Sequence, residues 1–141
     1  MRLESNFVEY KVILNGKLEK VAVALVNRFG GIFYIGVADD RTIKGVKNID
    51  RVIKNVEKRL RNNIEPSIDG LYSINKIGYH DKKEIIRIAF SAGNQKPYYI
   101  KSEGLTPKGC YIRIADNCVP MSEKLISRFV ELYSGGSEQD R

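Results

Sequence analysis

The sequence predicts an α+β fold, a mixed and largely antiparallel sheet covered by helices. A β-rich segment, a helical segment and an apolar β segment follow one another at the start of the chain, which is the order of a strand–helix–strand unit. After a second helical stretch the chain breaks into short runs of β-branched and aromatic residues separated by Gly, Asp, Asn and Pro, as in an antiparallel sheet. The length of 141 residues suits one domain and one core.

The first strand is predicted over residues 7–13, which are rich in Val, Ile, Phe and Tyr and stop at the turn pair Asn15-Gly16. Alternation puts Phe7, Glu9 and Lys11 on one face and Val8, Tyr10 and Val12 on the other. From Lys17 the period changes. Leu18, Val21, Ala22, Leu25, Val26 and Phe29 follow helical spacing and predict a helix with one buried stripe, ended by Gly30-Gly31. Residues 32–38 predict a second strand buried on both faces, followed by a polar turn from Asp39-Asp40-Arg41.

A second helix is predicted from about Asn48 or Asp50, closed by Pro66, with Ile49, Val52, Ile53, Val56 and Leu60 inward. Its outer side carries Arg51, Lys54, Lys58, Arg59 and Arg61. Residues 72–77, 84–90, 98–101 and 110–114 predict short strands, and a last helix runs from Ser122 to the Ser134-Gly135-Gly136 stop. The domain is therefore expected over residues 1–134, with 135–141 a polar, disordered tail.

Composition narrows the function. The longest apolar stretch, residues 21–26, is far below the roughly 18 residues of a membrane span, and the start Met1-Arg2-Leu3-Glu4 lacks an apolar leader, so no membrane association and a cytoplasmic location are expected. Cys110 and Cys118 are then expected as reduced thiols. The 24 basic and 17 acidic residues give +7, and the pI near 9.4 points to a polyanionic partner. No phosphate-binding glycine loop is present, so no nucleotide cofactor is expected. His80, Cys110 and Cys118 supply three soft ligands without a Cys-x-x-Cys pair, whereas a closed zinc site needs four, so no zinc is expected either.

The acidic residues are more informative. If the first two strands pair across the helix between them, Glu9 and Asp39 can converge at one sheet edge, with Glu4, Asp40 and Lys11 nearby. Carboxylates of this kind suit Mg²⁺ or Mn²⁺, and a metal held there could activate water for phosphodiester cleavage. Lys11 would offset charge developing on the phosphate. Glu9-x-Lys11 is also a half-motif of metal-dependent nucleases, although two opposite charges on an exposed strand face give the same pattern.

Several segments, taken in order, resemble the Schlafen AlbA-type domain: Leu3-Glu4-Ser5 to Val8-Glu9-Tyr10-Lys11, residues 23–31 ending Asn27-Arg28-Phe29-Gly30-Gly31, Tyr34 to Asp40, and Ile43-Lys44-Gly45. Lys96-Pro97-Tyr98-Tyr99 and Tyr111-Ile112-Arg113 resemble later segments of that family, so the likeness covers nearly the whole chain.

The resemblance implies a nucleic-acid-binding domain and, in the Schlafen branch, a metal-dependent endoribonuclease acting on structured RNA such as tRNA. It maps the catalytic and metal-binding acids onto Glu4, Glu9 and Asp39, with Asp40 as alternate third acid and Lys11 as the accompanying lysine. Lys11, Arg51, Lys54, Lys58, Arg59 and Arg113 are the expected nucleic-acid contacts. Two departures stand out: Arg28-Phe29 within the Asn-Thr-x-Gly-Gly pattern, and Arg41-Thr42 where a turn glycine is common. The family's two-lobed core against the single lobe here implies a homodimer or a partner lobe. Two other functions compete: a non-catalytic DNA- or RNA-binding module, and an assembly subunit whose activity lies in a partner.

Overall fold

The computed structural model describes residues 7–139, and it is an α+β fold of three helices and eight strands among those residues. Strand β1 (Val8–Lys11) leads into helix α1 (Leu18–Val26), which returns the chain to β2 (Gly31–Ile35). Helix α2 (Ile49–Asn62) is followed by β3 (Ile64–Glu65), β4 (Tyr72–Gly78), β5 (Glu84–Phe90), β6 (Tyr99–Ile100), β7 (Tyr111–Ile114), β8 (Asn117–Pro120) and α3 (Glu123–Gln139). The main sheet has the order β1-β2-β5-β4, with β3-β6 and β7-β8 as separate two-stranded ladders.

β1 and β2 pair in parallel, Glu9 beside Phe33 and Lys11 beside Ile35, as a strand–helix–strand connection requires. β5 then runs antiparallel to both β2 and β4, giving the mixed sheet. One sheet face meets α1 and α2 through Phe33, Ile35, Ile86, Ile88, Val56 and Leu60. On the other face Val8, Tyr10, Val37 and Ile85 form a smaller cluster, with the Tyr10 and Tyr34 rings stacked at 5.4 Å. The alternation expected for β1 therefore holds, since Glu9 and Lys11 share the α1 side and Val8 and Tyr10 the opposite side.

Helix α1 departs from the single stripe expected of it. It is buried all round, from Leu18 and Glu19 through the run Val21–Val26, because the sheet and α2 cover one side and β6, β7 and β8 the other. Phe29, expected on that buried stripe, lies beyond the helix end and is 62% exposed. The helix stops at Asn27 because its side chain is drawn into the β6 and β7 backbones: Asn27 Nδ2 donates to the Tyr98 and Tyr111 carbonyls, both at 2.9 Å, and Oδ1 accepts from the Tyr98 amide at 2.7 Å. Gly30 continues the turn at φ 76°, where a side chain would strike the Phe90 carbonyl.

The second strand is shorter than the expected 32–38. Gly36 at φ 101° bends the chain, and Val37 pairs instead with Ile43 across the following turn. Strands β3 and β8 are not apparent in the sequence; each is short and takes its form from a partner, β6 and β7 respectively. Helix α3 runs past the expected stop at Ser134 and through Gly135-Gly136 to Gln139, so two glycines did not end it. No helix among the described residues is long and apolar enough to cross a membrane.

Candidate nucleic-acid interface

The sequence places Glu9 on a strand of four residues, and the fold closes over it. Its residue is only 6% exposed because the β7-β8 hairpin lies beside β1. Arg113, 1% exposed, reaches from β7 to meet Glu9 in a charge-assisted hydrogen bond from Nη1 to Oε1. Its Nη2 donates to the Val8 carbonyl at 3.0 Å, and Nη1 also contacts Cys118 Sγ at 3.3 Å. Lys11 Nζ takes the other Glu9 oxygen at 3.1 Å. One carboxylate thus faces two cations.

That cluster forms one wall of a polar basin of about 230 Å³. Lys17 and Lys20, three residues apart at the start of α1, line it together with Lys11, Glu9, Asp116, Asn117 and Cys118. Lys20 also rests over the Tyr111 ring at 5.0 Å, which fixes the direction of its stem. Among the described residues three lysines and two carboxylates line this concave surface. Burial raises the pKa of the Cys118 thiol at its edge, partly opposed by the Arg113 hydrogen bond, so this cysteine stays protonated near neutral pH.

Asp39 and Asp40, also expected at a metal centre, are not among the residues lining the basin. Asp39 is six residues beyond Phe33, the neighbour of Glu9, and lies past the Gly36 bend on an exposed turn. Asp40 is exposed beside it and accepts the Thr42 amide at 2.9 Å; hydrogen bonding from Thr42 holds its carboxyl below the usual carboxylate range. Glu4 lies outside the described residues. Among the described residues no three His, Cys, Asp or Glu side chains are grouped so as to hold a metal ion. Of the described carboxylates, Glu9 and Asp116 line the basin, and Glu9 is shared between Arg113 and Lys11; a Mg²⁺ or Mn²⁺ centre needs several oxygens.

The expected cationic contacts divide in the same way. Arg51, Lys54 and Lys58 are exposed on the outer side of α2. Arg59 is turned inward: its Nε and Nη2 donate to Glu19 at 2.9 and 2.6 Å, and Nη2 also reaches the Asn15 carbonyl. Arg113 is wholly enclosed and serves Glu9. Lys11 alone of the six lines the basin. The sequence did carry a signal for Lys17 and Lys20, a pair spaced for one helix face beside Glu9-x-Lys11; for Asn117 and Cys118 there was none, because β8 exists only through its pairing.

The family model for Schlafen, AlbA_2 matches residues 4–122, spanning β1 to the start of the last helix. The chain belongs to the Schlafen AlbA_2 family. That membership covers the Glu9 cluster, the Asn27 latch and the Arg113 hairpin alike, and it ties the domain to nucleic acid in general terms. No curated protein sequence matches the chain closely enough to name a relative.

Proposed function

We propose that this Schlafen AlbA_2 domain binds nucleic acid, with RNA the favoured form, and that the Lys11/Lys17/Lys20 basin is where the phosphate backbone is gripped. The observation that carries the reading is the gathering of three lysines, from β1 and the start of α1, in one concave basin. Lysines on a concave surface attract phosphates chiefly by charge, so binding should be strong at low salt and weaken steeply as salt rises. Arg51, Lys54 and Lys58 are further exposed cations, on α2. The test is fluorescence anisotropy with labelled tRNA and a DNA duplex over a salt series. Binding by neither near physiological salt would refute the reading and leave an assembly role.

A second, finer reading is endoribonuclease activity on structured RNA such as tRNA. It is favoured by Glu9, a carboxylate held at the edge of the basin where a phosphate would lie. The described carboxylates do not make a metal centre, so no hydrolytic step is routed through an ion. Incubation of tRNA with the wild type and with Glu9→Gln, in Mg²⁺, Mn²⁺ or EDTA, decides it. Equal cleavage by both proteins, or none under any condition, removes this activity while leaving the binding function intact.

A further inference from the structure

At the far end of α1 from the basin the surface changes character. Phe29 is 62% exposed, and beside it opens a cleft of about 310 Å³ lined by Arg28, Lys96, Ile114, Phe129 and Tyr133 among others. Aromatic faces and cations alternate there: the Arg28 guanidinium sits 5.0 Å from the centre of the Phe29 ring and the Lys96 ammonium 5.3 Å from that of Tyr133. Lys96 Nζ is further tied to the Arg28 carbonyl at 3.2 Å, so the two cations border one cleft. The Phe7 ring, just before β1, is tilted at 6.2 Å from Phe29. Among the described residues no carboxylate lines the cleft.

We infer that this cleft is a stacking site for an unpaired base of a single-stranded nucleic acid segment, with Phe29 the platform and Arg28 and Lys96 the phosphate contacts. The inference rests on the nucleic-acid reading above and adds a site to it. An exposed ring bordered by cations offers a π face to any base and positive charge to its backbone, the combination by which single strands are held without sequence readout. Charge complementarity selects this occupant: an apolar protein surface has no use for two cations placed on the rings, whereas a polyanion carrying flat bases uses both. From Lys20 to Val26 is about 9 Å along α1 at 1.5 Å per residue, and Phe29 follows three residues later in the turn, so one strand can cross from the basin to the cleft. A duplex, its bases already stacked, gains nothing from Phe29.

The experiment uses the whole chain and two labelled ligands that resist cleavage, a 2′-O-methyl oligouridine and a 2′-O-methyl duplex of equal length, read by anisotropy. Phe29→Ala should weaken the single strand roughly tenfold, in line with the loss of one base–aromatic stack, and change the duplex by less than twofold. Because the chain contains no tryptophan, Phe29→Trp should restore affinity and supply an indole whose emission is quenched on adding the single strand but not the duplex. Unchanged single-strand affinity in Phe29→Ala overturns the inference while the nucleic-acid reading stands. Loss of both ligands by the wild type overturns both. Unchanged affinity together with loss of a dimeric mass in light scattering overturns it in favour of a contact between two copies. Phe29 makes no core contact, so its variants should fold as the wild type does.

Discussion

Glu9 and Glu19 each meet an arginine brought from far along the chain, 104 residues away for Arg113 and 40 for Arg59, yet the two pairs do opposite things. The Glu9 carboxylate is shared between Arg113 and Lys11 at the edge of an open basin that Lys17 and Lys20 also line. Glu19 draws hydrogen bonds from Arg59 and from Asn63, joining α1 to α2, and spends a cation that the α2 sequence had offered to the outer face. The difference teaches that a count of basic residues says little about a binding surface until it is known which of them neutralise buried acids.

The largest effect should come from breaking the buried pair. Arg113→Met leaves Glu9 with Lys11 alone and removes the Arg113 donor from the Val8 carbonyl, and should cost about 3 kcal/mol, seen as a lower urea midpoint with little change in slope. Adding Glu9→Leu should recover more than half of that loss, since an apolar pair of similar volume is often no worse than a buried ion pair. No recovery would mean that Arg113 acts mainly through Val8 and Cys118. Glu19→Gln, on a pair that water partly reaches, should cost about 1–2 kcal/mol by the same measurement.

The Glu19 pair also predicts a pH dependence. Burial works to raise the Glu19 carboxyl, but hydrogen bonds from Arg59 and Asn63 prevail and hold it below its ordinary value of 4.5. A carboxyl depressed in the folded state contributes stability above the unfolded value and loses it as pH falls through the folded one. The urea midpoint should therefore be indifferent to this group from pH 7 to about 5.5 and decline below about 4.5, with Glu19→Gln flattening the decline. Steeper acid loss in the variant would contradict the sign.

At the basin, Lys17→Gln with Lys20→Gln should leave stability within about 0.5 kcal/mol but reduce the slope of log affinity for RNA against log salt by about 1.5, from two lost phosphate contacts. The smallest effect concerns the thiols. Burial pushes Cys110 up to about 11, and Cys118 is raised as well, so both should react with a disulfide reagent at pH 8 far more slowly than in urea.

Much of the fold was legible because its causes are local. The period change at Lys17 marked α1, the spacing of Ile49, Val56 and Leu60 marked α2, and the β4–β5 hairpin with exposed His80 in its turn followed from β-branched runs about a polar loop. The α1 burial on all sides was less visible, since nothing in Leu18 to Val26 announces that β6, β7 and β8 will cover its second face. The candidate site was legible at Glu9 and Lys11, and invisible at Asn117 and Cys118.

The amino-acid order alone determined the strand–helix–strand start, the α+β class, the excess of positive charge and the membership of the Schlafen AlbA_2 family, because periodicity, composition and motif spacing are properties of short segments. Only the tertiary structure decided that Arg113 and Arg59 are occupied by acids, that Asp39 lies past a bend from Glu9, that Lys17 and Lys20 flank Lys11, and that Phe29 stands in solvent. Those outcomes depend on which distant segments are packed together, and charge pairing in a dry interior is settled by proximity in space rather than along the chain.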